Sequence, residues 1–311
     1  MNTPLSAKPW FASRRAGCVR AFSLIEIIVV VGLMSFIIFG LVLMFSETQH
    51  AFKLGTTQVD VLEGGRAAMG LVQRDLLQVA PARKGVLSGA TNFFTALLPY
   101  PLIQDLPGNK PTRTNVLQDL FFLSRENQSW SGIGYVVRTN APGGRTDIPL
   151  SGMGTLYRFQ TNHSAAFFAS APKSFGSEFD TAKQNETNMN KVMEGVVHFT
   201  VRTFDANGLR LDPSRLSFSN RGHPNVFTNV PGNIFFGASS YGESDWSSFQ
   251  SNAVPAAVEI ELGVLEDAAL AKAKAITDVN RRYAYLTNQA SRVHLFRLRV
   301  PIRNVDPTAY Q

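Results

Sequence analysis

One apolar run sets the plan of this chain. Phe22 to Phe45 reads FSLIEIIVVVGLMSFIIFGLVLMF, 24 residues with a single ionisable side chain, Glu26. Rising about 1.5 Å per residue as a helix, it is roughly 36 Å long, enough to cross a bilayer core. The segment before it holds Lys8, Arg14, Arg15 and Arg20 and no acid, while Ser46 and Glu47 follow it. Basic flanks stay in the cytoplasm, so the amino terminus is expected there and everything from about residue 46 onward outside the inner membrane.

The same four cations account for much of the net charge of +7, since without them 26 basic residues face 23 acidic ones. No Lys/Arg stripe is left to neutralise phosphates, and nucleic-acid binding is not expected. At 44% hydrophobic the chain has material for a sizeable core, and 24 Gly, 16 Pro and 23 Phe favour strands and turns over a helical bundle. Cys18 is the sole cysteine, which excludes an intrachain disulfide and a thiolate zinc site.

Several kinds of leader compete for the run. An ordinary secretory signal has an apolar region of about 7 to 15 residues and a small-x-small cut site. This run is longer, and SETQHAF after it offers no such site. A lipoprotein signal would place its cysteine after the run, whereas Cys18 precedes it. A plain uncleaved anchor fits length and flanks but leaves Glu26 unexplained, because a carboxylate in apolar surroundings costs a few kcal/mol and is kept for a partner or a task. The bland reading is an acid that snorkels to water at the cytoplasmic edge.

Arg20-Ala21-Phe22-Ser23-Leu24-Ile25-Glu26 resembles the type IV prepilin (class III) signal. The resemblance implies that a membrane peptidase cuts between Ala21 and Phe22 and methylates the new α-amino group of Phe22. Glu26 then falls at the fifth mature position, where the family's carboxylate pairs with the Phe22 amine of a neighbouring subunit and sets register during assembly. A cut after Gly17 would put Phe22 fifth and is rejected. The family usually has Gly before the cut; this chain has Ala21, which is also small.

After Phe45 an apolar stripe at Leu62, Met69, Val72, Leu76 and Val79 predicts that one helix continues from about residue 22 to about residue 80. Gly64 and Gly65 predict a local weakening, and Pro81 an end at or before Ala80. GRAAMGLVQRDLLQVA is similar to the Arg-Asp-Leu region after the anchor in J-type minor pseudopilins of type II secretion, with Arg74 and Asp75 at the matching positions. By itself, Gln-Arg-Asp-Leu is ordinary on an exposed helix face.

Beyond Gly85 the period changes to two. Val197, Phe199 and Val201, then Val258, Ile260, Leu262 and Val264, then Phe296, Leu298 and Val300 each alternate with other residues, as strands with one wet face do. If the second and third are neighbours, Glu259 and Glu261 face Arg297 and Arg299. Further strands are expected at 119–124, 132–139 and 154–160. The fold class is α+β: a long N-terminal helix, membrane-spanning in its first half, packed on an antiparallel β-sheet head. The expected divisions are a leader at 1–21, a transmembrane helix at 22–45, its extramembrane continuation at 46–80 and a head at 85–311. Within the head, 205–253 reads as an irregular insertion and 265–288 as a helical one with Asp267 as a cap. The blocks Glu194 to Gly208, Val254 to Leu262 and the closing strand to Arg303 resemble the layout of the J-type head. The insertions are similar to those of the pilin-like Verru_Chthon cassette.

Catalytic motifs are sparse. His50, His163, His198, His223 and His294 have no helical ligand spacing, and His198 and His294 read as surface residues on strands. Ser170-Ala-Pro-Lys173 has Ser-x-x-Lys spacing but no companion motif. Asp205-Ala-Asn207-Gly208 reads as a hairpin turn before it reads as calcium ligands. Trp130, Trp246 and Tyr241 read as core packing before recognition surface. No catalytic residue, cofactor or metal is therefore expected. The resemblance implies as partners other pilin-like subunits, the prepilin peptidase, the inner-membrane assembly machinery and membrane lipid. It also implies a single pass through the inner membrane with a periplasmic head, and a place in a filament or on the cell surface after assembly. The alternatives are a minor subunit of a type IV pilus or DNA-uptake filament, and a membrane-anchored periplasmic enzyme or binding protein.

Overall fold

The computed structural model describes residues 23–82, 90–108, 112–141, 145–171, 174–185, 188–211, 233–306 and Ala309. The chain falls into two compact units, 1–55 and 56–311. Helix α1 (Leu24–Leu76) contributes to both. In the first unit every apolar side chain from Leu24 to Phe45 is exposed, so this is a helix long and apolar enough to cross a membrane. The hydroxyls of this unit do not interrupt it: Ser35 Oγ donates to the Val31 carbonyl at 2.8 Å and Thr48 Oγ1 to that of Met44 at 2.8 Å.

In the second unit the elements follow in order: β1 (Thr91–Leu97), β2 (Leu102–Asp105), β3 (Thr112–Asn115), β4 (Gln118–Glu126), β5 (Ser129–Ala141), β6 (Arg145–Asp147) and β7 (Gly154–Ser164). Helices α2 (Ala165–Ser170) and α3 (Ser174–Asn185) precede β8 (Met189–Phe204), β9 (Ile234–Phe236), β10 (Ser239–Ser240), β11 (Glu243–Ser244) and β12 (Trp246–Gln250). Then come β13 (Ala257–Leu265), α4 (Asp267–Ala275), α5 (Val279–Thr287) and β14 (Val293–Pro301). Among the described residues ten strands make one antiparallel sheet in the order β14-β13-β8-β7-β5-β4-β1-β12-β9, with β6 beside β5. A helix and a large antiparallel sheet make the α+β class expected from the sequence.

Both faces of this sheet are covered. On one, Val61, Met69, Val72 and Leu76 of α1 share a core with Leu120, Phe122, Ile133, Tyr135, Leu156, Phe199, Ile260 and Leu262. On the other, Phe175, Phe179 and Ala182 of α3 pack with Phe121, Val136, Tyr157 and Phe159. Beside them Ala269, Leu270 and Ala273 of α4 and Leu286 of α5 pack with Val197, Leu265 and Leu102. This second cover corrects the expectation of one wet face for β8: seven consecutive residues from Gly195 to Val201 are buried, and a register shift against Gly263 and Val264 of β13 turns Val197 into the α4–α5 core while Phe199 and Val201 stay in the α1 core, although alternation assigns all three to one side.

The helix runs through Gly64-Gly65 without the local weakening their propensity suggests. Gly65 is buried, and a Cβ there would come within 2.3 Å of the Phe296 ring, so the position is small because an aromatic side chain of β14 lies against the helix backbone. The helix ends at Leu76, ahead of Pro81, since Val79 bridges Ser124 and Ala80 N–H donates to the Leu123 carbonyl at 3.0 Å, capturing the chain at the edge of β4.

Two insertions differ from the sequence reading. Within 205–253, residues 233–250 supply β9 to β12, and β12 pairs with β1 to extend the sheet; such short Ser-rich strands carry little alternation. The 265–288 stretch is two helices, not one. Glu266 occupies the cap position of α4 without a side-chain capping bond and Asp267 lies in the first turn, whereas Asp278 caps α5 by accepting from Arg281 N–H at 2.8 Å.

Candidate functional site

Ala21 and Phe22 lie outside the described residues. The description starts at Ser23, whose carbonyl and hydroxyl both accept from Glu26 N–H, at 3.0 and 3.3 Å. Ser23-Leu24-Ile25-Glu26 therefore has the spacing of a capping box, a local role for Ser23 not expected above although the Ser-x-x-Glu spacing signals it. Glu26 is exposed in the first turn of α1, where its charge also suits the helix dipole. Among the described residues no cation pairs with its carboxylate.

The second motif on α1 divides in two. Arg74 is exposed, as an ordinary helix face predicts. Asp75 is 4% exposed, and one of its oxygens, Oδ2, accepts from Tyr135 Oη on β5 at 2.6 Å and from Arg158 Nε on β7 at 2.6 Å. Arg158 Nη1 donates onward to Gln160 Oε1 at 2.6 Å. Burial and then the Asp75 charge push the Tyr135 hydroxyl well above its ordinary pKa of 10.0, so it remains a donor. Burial pulls Arg158 down, but the Asp75 carboxylate outweighs it and holds the guanidinium above its ordinary value. The exposed-face reading of Gln-Arg-Asp-Leu is thus corrected at Asp75. The carboxylate is a polar fastener inside an otherwise apolar helix-sheet contact, and only the tertiary fold brings β5 and β7 beneath it.

A larger charged group lies on the sheet face away from α1. Arg202 Nε donates to Glu243 Oε1 at 2.8 Å, and its Nη1 lies 3.1 Å from Glu259 and 2.7 Å from Glu261. Arg210 Nη2 donates to the other Glu243 oxygen at 2.7 Å. The expected β13–β14 pairing is present, Glu259 opposite Arg299 and Glu261 opposite Arg297. The close contact is diagonal, however, from Arg297 to Glu259 at 2.6 Å, while Arg299 lies over the Phe204 ring at 3.9 Å. His198, expected at the surface, is 8% exposed; its Nδ1 accepts from Val116 N–H at 3.2 Å, which leaves the ring hydrogen on Nε2.

The His198 ring first, and the Arg202 guanidinium after it, hold the Glu261 carboxyl down to about 2 against the opposing effect of burial. A carboxyl depressed in the folded state contributes stability that is complete above its ordinary value of 4.5 and is lost as pH falls towards about 2. Unfolding midpoints of the wild type are therefore expected to fall across that window, and Glu261→Gln to flatten the decline. Parallel curves for the two proteins would refute the assignment to Glu261.

The sequence motifs considered for catalysis are occupied by structural bonds. Ser170 Oγ donates to the Phe167 carbonyl at 2.8 Å, and Lys173 lies outside the described residues. The Asp205 carboxylate accepts from Asn207 N–H at 2.9 Å and Leu209 N–H at 2.7 Å, closing the hairpin turn with Gly208 at φ +79°. Among the described residues no group of three or more His, Cys, Asp and Glu side chains is placed to hold a metal. Trp130 is buried with Phe121 and Phe159 in the α3 core, as core packing predicts, whereas Tyr241 is 55% exposed. Comparison with known protein families, curated proteins and solved structures finds no match for this chain.

Proposed function

We propose that this chain is a pilin-like subunit, made as a precursor, cut between Ala21 and Phe22, methylated at Phe22, and assembled into a secretion pseudopilus or related filament through its N-terminal helix. The observation that carries the reading is the apolar run, helical and exposed from Leu24 to Phe45, whose one carboxylate stands four residues beyond Phe22 in the sequence. An exposed apolar surface of that length requires cover by lipid and then by neighbouring helices. Glu26 supplies a charge for which a neighbour's α-amino group is a matched partner, and in a low-dielectric layer either charge alone is stranded. The antiparallel sheet packed on residues 61–76 of α1 supports the reading, because the pilin-like head is an α+β unit of this kind. In this role the protein assembles and displays, without turnover.

Purification of the full chain in a mild detergent tests the proposal in one experiment. Mass spectrometry is expected to find Phe22 as the first residue, carrying one added methyl group, in company with other pilin-like subunits. A chain that keeps its basic leader and elutes alone would overturn it in favour of an anchored monomer.

A further inference from the structure

The sheet face away from α1 is covered by two separate helical groups, α2–α3 and α4–α5. Beside α4–α5, over β5, β7 and β8, lies a cleft of about 280 Å³ whose lining includes Arg138, Thr139, Lys191, Glu194, Lys274 and Arg282. Four cations and one acid converge there from β5, β8, α4 and α5. Arg138 is neutralised by Asp119 behind it, through Nη1 to Oδ1 at 2.8 Å and Nη2 to Oδ2 at 2.6 Å, both side chains buried.

The remaining charges do not balance. Lys191 and Lys274 both pair with the one carboxylate of Glu194, and together they hold it below its ordinary value of 4.5, Lys191 foremost. Arg282 is half-buried, and its Nε and Nη2 donate to the Ile276 carbonyl at 2.9 and 2.7 Å. Among the described residues no carboxylate pairs with it. Two ammonium groups on one acid, with a guanidinium on a neutral oxygen, leave an excess of two positive charges in a concave site. Convergent cations repel, and an anion relieves that repulsion.

We propose that this cleft binds a small molecule through a phosphate or carboxylate group held by Lys191, Lys274 and Arg282. The volume lies just below the usual range of ligand sites, about 300–1,000 Å³, which fits a compact acid in preference to a polymer. Arg282 is fixed by its carbonyl bonds and presents its remaining N–H groups without further ordering, and the two lysines exchange part of their bond to Glu194 for the incoming oxyanion. This site is independent of the filament proposal, since it uses no residue of the N-terminal motif.

Calorimetric titration of the full chain in uncharged detergent, with inorganic pyrophosphate and separately with citrate at ionic strength fixed by KCl, tests the proposal. One-to-one saturable binding of either probe is expected, the stronger one identifying phosphate or carboxylate as the preferred group. Lys274→Gln is expected to weaken binding about three- to tenfold, as loss of one close charge in a partly solvated site does. Glu194→Gln, which removes the competing acid, is expected to tighten it by a similar factor, a gain that a purely structural role for these residues does not produce. Both substitutions are at partly exposed side chains, and Arg74→Gln on α1 serves as a control that leaves binding unchanged. Absence of saturable heat with both probes, or equal affinities in wild type, Lys274→Gln and Glu194→Gln, would overturn the assignment.

Discussion

Asp75→Ala is expected to lower the melting temperature of the second unit by on the order of 10 °C, because removing one partner of a buried ion pair costs about 3–5 kcal/mol and each kcal/mol shifts a domain of this size by roughly 2–4 °C. The cost arises from what the substitution leaves behind. Arg158 would keep its charge beneath the helix with Gln160 as its remaining acceptor, and the buried Tyr135 hydroxyl would lose its acceptor. Tyr135→Phe alone removes a donor without stranding a charge, so its expected cost is nearer 1 kcal/mol. Arg74→Ala, one residue away on the exposed side, is expected to change stability by less than about 0.5 kcal/mol. Thermal or urea unfolding of these variants decides the matter, and a loss below about 2 °C for Asp75→Ala would remove the fastener role.

Glu26→Val is expected to leave membrane insertion intact while incorporation into filaments falls at least tenfold, the equivalent of about 1.4 kcal/mol. Insertion is spared because the substitution removes the one charge that opposes it. Assembly suffers because the neighbour's amine would enter the apolar layer without its counter-charge. The bond from Glu26 N–H to Ser23 Oγ raises a local alternative, helix capping, and Glu26→Gln separates the two. Glutamine serves a capping box as well as glutamate does, so a capping role predicts normal assembly for Glu26→Gln and a charge-pairing role predicts failure. Pull-down of tagged subunits from detergent extracts, normalised to membrane content, reads both variants. Normal incorporation of both would end the proposed role of this carboxylate.

Much of the fold was legible because its signals are local. The strands around Val197, Val258 and Phe296 followed from alternation, and the β13–β14 register placed Glu259 and Glu261 opposite Arg299 and Arg297 as their spacing implied. Strand β12 was hidden because Trp246–Gln250 is short and Ser-rich, and α3 because its 12 residues include only three buried side chains. The break between α4 and α5 escaped because an Ala-rich stretch favours helix throughout, while the chain bends at Ile276 and restarts under the Asp278 cap. The cleft was invisible for a different reason. Arg138, Lys191, Glu194, Lys274 and Arg282 are scattered along the chain, and no spacing rule links them.

Amino-acid order alone determined the exposed apolar helix, its lone carboxylate and the α+β class, since each depends on side chains within a few turns or strand repeats of one another. Tertiary structure alone decided that Asp75 is buried while Arg74 is not, that β8 is covered on both faces, and that an excess of positive charge gathers beside Glu194. In each case the deciding partner comes from elsewhere in the chain, on another strand or helix, and burial and charge balance are properties of such meetings in space.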